Sequence, residues 1–342
     1  MTEYVRNVWY PLTWSRDVNH SLSSHTILEE NVVLFRDSQG QVVAMEDVCP
    51  HRLAPLSIGT LVDDTIQCGY HGLRFGCDGR CVHVPGQKRA PESIRVKAYP
   101  VAENMGLVWI WMGDGDKADV NAIFDLPEYH DPAFSVFEGD GLVLSADYLS
   151  LAENLCDPSH VAFVHQSTLA NKEHGDVPVQ HQRLEDRVVT WRWILDSPII
   201  PIFKGLKPYH GNVDRWHYYH YYCPSIAIID FGTAPTGTGA PEGDRSECIQ
   251  MFACHFITPV DSETCIQHWL LVKNMPSDPE IDQRLKDGLR IAFNEDKVVL
   301  EAIQRNEKRF TEVRPVRLAI DASSMKMRKM VSEMIELERQ AS

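Results

Sequence analysis

The chain has 342 residues, 44% hydrophobic and 24% charged, which is enough for a large core and suggests about two domains. A formal net charge of −15 at pH 7 argues against a nucleic-acid surface, while leaving room for a locally positive pocket that takes a small anion. No run is long and apolar enough to span a bilayer, and the N-terminal MTEYVRNVWY lacks the order of a signal peptide, so a cytoplasmic protein is expected. Nine cysteines in such a chain read as buried thiols or metal ligands rather than as a disulfide framework.

Residues 26 to 48 predict a hairpin. Thr26-Ile27-Leu28 and Asn31 to Phe35 are β-rich, Asp37-Ser38-Gln39-Gly40 is a turn, and Gln41 to Met45 returns. A strong strand over Gly106 to Met112 closes a region of short strands and loops. The polar stretch Gly113 to Asn121 is the linker candidate, dividing the chain into domains 1–118 and 119–342. Beyond it, Arg187 to Leu195, Ser225 to Phe231 and Cys265 to Val272 are strand-like, and Thr233 to Arg245 is a Gly/Pro-rich loop. Residues 280 to 309 carry a helical pattern through Leu285, Leu289, Phe293, Val298 and Ile303. A second helix is expected over 322 to 338, its Met327, Met330, Val331, Met334 and Leu337 stripe serving packing.

Two constellations carry chemistry. The first is Cys49-Pro50-His51-Arg52 followed by Cys68-Gly69-Tyr70-His71-Gly72. Two thiolates and two imidazoles suit either one zinc ion or a Rieske [2Fe–2S] cluster, in which one iron takes both thiolates and the other both imidazoles. From ligand types alone the two stand about level. Zinc fingers usually pair Cys with Cys and His with His, whereas this sequence alternates them. Cys77 and Cys81 lie close by and read as buried or spare thiols.

The second constellation is Asn154-x-x-Asp157-x-x-His160-x4-His165. Non-haem Fe(II) oxygenases hold iron by two His and one carboxylate on one face, leaving the other open. Five residues apart, His160 and His165 would diverge by about 140° on a regular helix. Pro158 disfavours such a helix, and a break there could turn both rings toward one ion. Asp296, on the long predicted helix, is the best carboxylate, and its neighbour Glu295 would point to a different face. A lone His is usually a satisfied core residue, and His217 and His220 are read as packing or surface. The combined skeleton lifts His160 and His165 above that.

With these residues in view, the sequence resembles the Rieske non-haem iron oxygenases, in the subgroup of vanillate O-demethylase, dicamba monooxygenase and toluenesulfonate methyl-monooxygenase. The resemblance runs from Val5 to Tyr10 through both metal motifs, Cys81 to Gln87, Phe231 to Gly239, Phe256 to Pro259 and Glu295 to Val299. It implies an α+β fold, with an N-terminal Rieske β domain and a catalytic domain built on an antiparallel sheet flanked by helices. Cys49, His51, Cys68 and His71 would bind the cluster, and His160, His165 and Asp296 the mononuclear Fe(II). Asp157 would bridge an iron histidine to a cluster histidine of the neighbouring subunit in a head-to-tail homotrimer, and Asn154 would lie near the iron. His255 and Asp230 are substrate-contact candidates, with plain structural roles as probable. Lys204, Lys207 and Arg215 could serve an anion or merely solvate a loop.

The implied activity uses O2 and electrons from an NADH-dependent reductase, with or without a ferredoxin between them, to oxidise a methyl or methoxy group of a small aromatic acid. No nucleotide-binding fingerprint or second ferredoxin-type cysteine set is present in the sequence, so partners are needed. Three alternatives stay open: a ring dihydroxylase of a phthalate-like aromatic, a zinc-stabilised binding module without redox chemistry, and a Rieske carrier protein. A second domain-sized segment with its own metal motif disfavours the last.

Overall fold

The computed structural model describes residues 3–170 and 174–341. They fall into two compact units, one comprising residues up to Asp125 with Thr258–Asp261, the other residues 126–257 and from 262 onward.

The first unit is three small antiparallel sheets. One is β1 (Trp9–Trp14), β11 (Leu107–Trp111) and β10 (Val101–Asn104). A second runs β2 (Ser23–Ile27), β3 (Glu30–Arg36), β4 (Val42–Glu46) and β9 (Ala98–Tyr99). The third is β5 (Thr60–Val62), β6 (Thr65–Gln67), β7 (Arg74–Phe75) and β8 (Cys81–His83). The expected hairpin is β3–β4. Its turn is fixed by the Asp37 carboxylate, which accepts from the backbone N–H groups of Gln39 and Gln41, while Gly40 takes the left-handed conformation. Strands β2 and β3 join through Leu28 and Glu29, both at positive φ, a costly choice for such residues. Their N–H groups donate to Pro259 and Val260 carbonyls, which offsets part of that cost. The stretch expected as a linker holds two short 3-10 turns, Gly115–Lys117 and Val120–Ala122, capped by Asp114 and Asp119.

The second unit is an eight-stranded antiparallel sheet. Its order is β12 (Ser135–Glu138), β19 (Thr264–Lys273), β18 (Ile249–Asp261), β17 (Ile226–Pro235), β16 (Val213–Tyr222), β15 (Arg187–Ser197) and β14 (Gln180–Arg183), with β13 (Leu142–Leu144) also paired to β19. Strands β15, β17 and β19 match the strand-like runs of the sequence. Strands β16 and β18 were not anticipated, because β16 places aromatics, His and charge on both faces and lacks a period-two contrast. The helices are α1 (Pro127–His130), α2 (Tyr148–Cys156), α3 (Val161–Val164), α4 (Pro279–Arg309) and α5 (Ala322–Ala341).

Helix α4 starts where Asp278 caps the N–H groups of Glu280 and Ile281 and Pro279 takes the first turn. It buries Leu285, Leu289, Ala292 and Phe293 against Phe231, Met251, Ala253 and Trp269 of the sheet. Each large apolar side chain buried there contributes about 1.5–3 kcal/mol, and Leu289→Ala would cost about 2–5 kcal/mol. On the sheet's other face, Gly232 lets the Trp216 ring lie across β17, since a Cβ there would come within 2.1 Å of that ring. In α5, Met327, Met330 and Val331 are buried while Leu337 is exposed, so the methionine stripe packs over its first half only.

Candidate metal centres and the pocket between the sheet and helix four

The cluster motif folds as two matching loops. The Cys49 N–H donates to the Ala54 carbonyl and its own carbonyl accepts from Leu53; Cys68 does the same with Leu73 and Gly72. In both loops the residue four after the cysteine is left-handed, Leu53 at φ 59° and Gly72 at φ 72°. That reversal aims each loop's cysteine inward and its histidine outward. Cys49 and Cys68 are buried, whereas His51 and His71 are exposed with ring centroids 4.5 Å apart. Burial, and then the nearby Cys68, pushes the Cys49 thiol up.

Two inner sulfurs and two outer imidazoles match the donor set of a two-iron cluster. Cys81 is buried with its Sγ facing the His83 carbonyl, and Cys77 is exposed with its Sγ facing Asp64.

The second constellation is built at a helix break. Helix α2, capped by the Asp147 carboxylate on the Leu149 N–H, ends at Asp157 in extended backbone. Pro158 follows, Asp157 Oδ1 accepts from the Ser159 N–H, and the one-turn α3 begins after His160 and ends at His165. One imidazole therefore precedes a single helical turn and the other follows it. Asp296 reaches both from the buried stripe of α4: its Oδ1 lies 3.5 Å from His160 Nε2 and 3.2 Å from His165 Nε2. One donor atom from each of His160, His165 and Asp296 falls within 4.8 Å of the others. The Asn154 amide donates to Asp296 Oδ1 at 3.0 Å and lies 3.4 Å from His160 Nε2. These donors are those of a facial triad and fit a single iron.

The outer contacts are asymmetric. Glu295 does point away from Asp296, yet its carboxylate takes the other ring nitrogen of the same histidine, His165 Nδ1, at 2.9 Å. The trace of this in the sequence is the adjacent Glu295-Asp296 pair, whose side chains approach one imidazole from two sides. Asp157 Oδ2 lies 3.9 Å from His160 Nδ1, beyond hydrogen-bond range, and that nitrogen has no hydrogen-bond partner among the described residues. Burial lowers His165, but Asp296 and then Glu295 outweigh it and hold the ring above its ordinary range. For His160 burial wins and the ring titrates low. Burial opposes ionisation of Asp296, but His165, His160 and Asn154 hold its carboxyl below the usual range.

Next to the triad lies a cavity between the sheet and α4. Its apolar wall includes Val161, Leu169, Ile229, Phe231, Leu289 and Phe293, and His217, Tyr219 and His255 also line it. Val161 follows His160, and Phe293 precedes Asp296 by about one helical turn, so the cavity adjoins the metal donors. His255 is fully buried and stands edge-on to Phe293 with centroids 5.0 Å apart. The Gln267 amide donates to its Nδ1 at 2.7 Å, so Nε2 carries the proton, and Nε2 has no hydrogen-bond partner among the described residues. Burial drops the pKa of His255 to about 4, leaving a neutral donor.

Asp230 is not brought to the cavity. Period two sends it to the sheet face opposite Ile229 and Phe231, where it accepts from Trp216 Nε1 at 2.9 Å and from Gln250. His217, read from sequence as packing or surface, is buried and lines the cavity, while His220 falls on the other face. Lys204 is exposed and Lys207 pairs with Glu247 at 2.8 Å.

Two imidazoles and a carboxylate that can hold one metal ion beside an apolar pocket, together with a two-by-two Cys/His set in a small β unit, fit a Rieske non-haem iron oxygenase. Residues 8–100 match the model of the Rieske [2Fe–2S] domain, and residues 144–337 that of the vanillate O-demethylase oxygenase C-terminal domain. The chain belongs to this family and is an oxygenase component, an oxidoreductase. It is 35% identical to the iron–sulfur subunit of the toluene-4-sulfonate monooxygenase system of Comamonas testosteroni, over 98% of each chain. It is 32% identical to a vanillate O-demethylase oxygenase subunit of a Pseudomonas strain, over 99% of this chain and 97% of the other. A solved structure of dicamba monooxygenase with non-haem iron and dicamba superposes with a TM-score of 0.84 at 29% identity, covering 100% of both chains.

Proposed function

We propose that this protein hydroxylates a methyl or methoxy carbon of a small aromatic acid, receiving electrons from a separate NADH-dependent reductase, with or without a ferredoxin between them. The observation that carries the reading is the pocket itself: an apolar cavity sized by Phe231, Phe293 and Leu289, adjoining a three-donor iron site. When bound, the cluster at Cys49, His51, Cys68 and His71 supplies single electrons, and the iron at His160, His165 and Asp296 supplies the O2 chemistry that oxidises a C–H bond.

The chain's own residues do the rest. The apolar wall holds an aromatic ring and excludes water, and the His255 Nε2–H offers one hydrogen bond that orients it. Glu295 fixes the rotamer and tautomer of His165, and Asn154 steadies the Asp296 carboxylate. Hydroxylation of a methoxy carbon gives a hemiacetal, which collapses to a phenol and formaldehyde. Hydroxylation of an aryl methyl stops at the alcohol.

We assign Asp157 the bridging role between this iron site and the cluster histidine of a neighbouring copy in a head-to-tail trimer. Two features support this. The Asp157 carboxylate faces His160 Nδ1, which has no hydrogen-bond partner among the described residues, and Val298, Val313, Val316, Leu318 and Ile320 are large apolar side chains left exposed on and after α4. Within the described residues no helix is long and apolar enough to cross a membrane, and the proposed location is the cytoplasm.

The test is turnover with a surrogate reductase, NADH and a panel of methoxy- and methyl-substituted aromatic carboxylates and sulfonates. Formaldehyde or a benzylic alcohol should appear in step with substrate loss. A cis-diol would replace this reading with ring dihydroxylation.

A further inference from the structure

The sheet face that lines the cavity carries a second polar feature beyond it. Across the β15–β16 pair, Arg192 is the direct partner of His217, and Arg215 stands two residues from His217 on the same strand, so all three share one face. On β17, Thr233 is the partner of Arg215 and belongs to the same face. Arg192 is 1% exposed and Arg215 0%. Neither makes a salt bridge to a carboxylate among the described residues. Arg192 donates through Nη1 to the His174 carbonyl at 3.0 Å, and Arg215 through Nη2 to the His174 ring at 2.5 Å.

Among the described residues, that leaves Nε and Nη2 of Arg192, Nε and Nη1 of Arg215, Nδ1 of His217 and Oγ1 of Thr233 buried without a hydrogen-bond partner. Two buried guanidiniums with four unused donor nitrogens are costly in a folded protein unless something negative meets them. Burial and the charge of Arg192 pull Arg215 down only to about 9, so it remains a cation at neutral pH. His174 and His217 titrate low and stay neutral beside them, so neither adds a competing positive charge.

We propose that Arg192 and Arg215 form an oxyanion-binding site at the His217 end of the pocket, and that the aromatic substrate places its carboxylate or sulfonate there. The inference rests on the reading of the cavity as the substrate pocket. The chemistry fits: a guanidinium presents a planar fork to carboxylate or sulfonate oxygens, and two forks with the Thr233 hydroxyl suit a head group of two or three oxygens. The ring would then extend past His217 and Tyr219 toward Val161 and the metal donors. His255, on the far side of the same cavity, would set ring orientation rather than bind the charge. Arg215 stood among the possible anion partners in the sequence; its burial removes the alternative that it solvates a loop.

The test is calorimetric binding to the purified, metal-loaded oxygenase of three probes: 4-methylbenzoate, 4-methylbenzenesulfonate and the neutral methyl 4-methylbenzoate. At least one anion should bind about tenfold or more tighter than the ester. Whichever anion binds tighter identifies the head group. Arg192→Met and Arg215→Met should each abolish that margin while changing ester affinity less than about twofold, and Arg215→Lys, which keeps the charge without the fork, should fall between. Anions no tighter than the ester in the wild type would overturn the inference. So would arginine variants that weaken ester and anion equally, which is the signature of a structural role.

Ala253→Trp, filling the cavity, separates this inference from the reading beneath it. It should abolish binding of all three probes. Ester binding that survives it would sink the pocket reading, and arginine-dependent anion binding that survives it would overturn the placement of the site in the pocket.

Discussion

At the proposed cluster site, all four candidate ligand residues lie between Cys49 and His71, on two loops with one hydrogen-bond pattern and one left-handed residue each. At the proposed iron site, His160 and His165 come from a broken helix, and the third candidate ligand, Asp296, arrives from α4, far along the chain. The first site is local in sequence and depends on turn chemistry. The second depends on tertiary packing of α4 against the sheet and on partners such as Glu295 and Asn154. Local sites survive changes elsewhere, whereas assembled ones do not. Substitutions around the iron should therefore act on one centre and spare the other.

The largest effect is expected at Asp157. Asp157→Asn should keep cluster colour and iron content but lower turnover by about 100-fold or more, because a neutral amide cannot couple two imidazoles as a carboxylate does. Steady-state oxygen uptake beside metal analysis checks it, and unchanged turnover would remove the bridge. Next comes Glu295→Gln. Loss of the carboxylate on His165 Nδ1 should weaken iron retention about 10- to 100-fold in a chelator competition, with the cluster's visible spectrum unaltered. Equal iron affinity in the variant would make Glu295 a bystander.

An effect on stability alone lies away from both metals. Burial raises Asp230 to about 6, above its unfolded value. Its contribution to stability is full below about pH 4 and is lost as pH rises through about 6, amounting to up to about 3 kcal/mol. Asp230→Asn should gain on the wild type in melting temperature between pH 4 and pH 7. A pH-independent difference would show that Asp230 does not titrate in this window.

These contrasts explain what the sequence disclosed. The paired Cys and His spacing and the break at Pro158 are written in consecutive residues, so both motifs could be read directly. Asp296 was readable because it interrupts the apolar stripe of a strongly periodic helix. The unexpected strands β16 and β18 carry much of the pocket, and their faces could not be sorted without the register that pairs Arg192 with His217 and His217 with Phe231. For the same reason Asp230 looked eligible beside Phe231, although one residue of offset puts it on the opposite face. Arg192 left one trace, a charge inside the strand-like run from Arg187 to Leu195.

The most direct test of two independently built centres is iron analysis with visible and electron paramagnetic resonance spectra of the wild type and Asp296→Ala. The wild type should hold about three irons per chain, and the variant about two, with the reduced-cluster signal intact and turnover at background. Loss of the cluster signal together with the third iron, or full iron retention in the variant, would contradict the account.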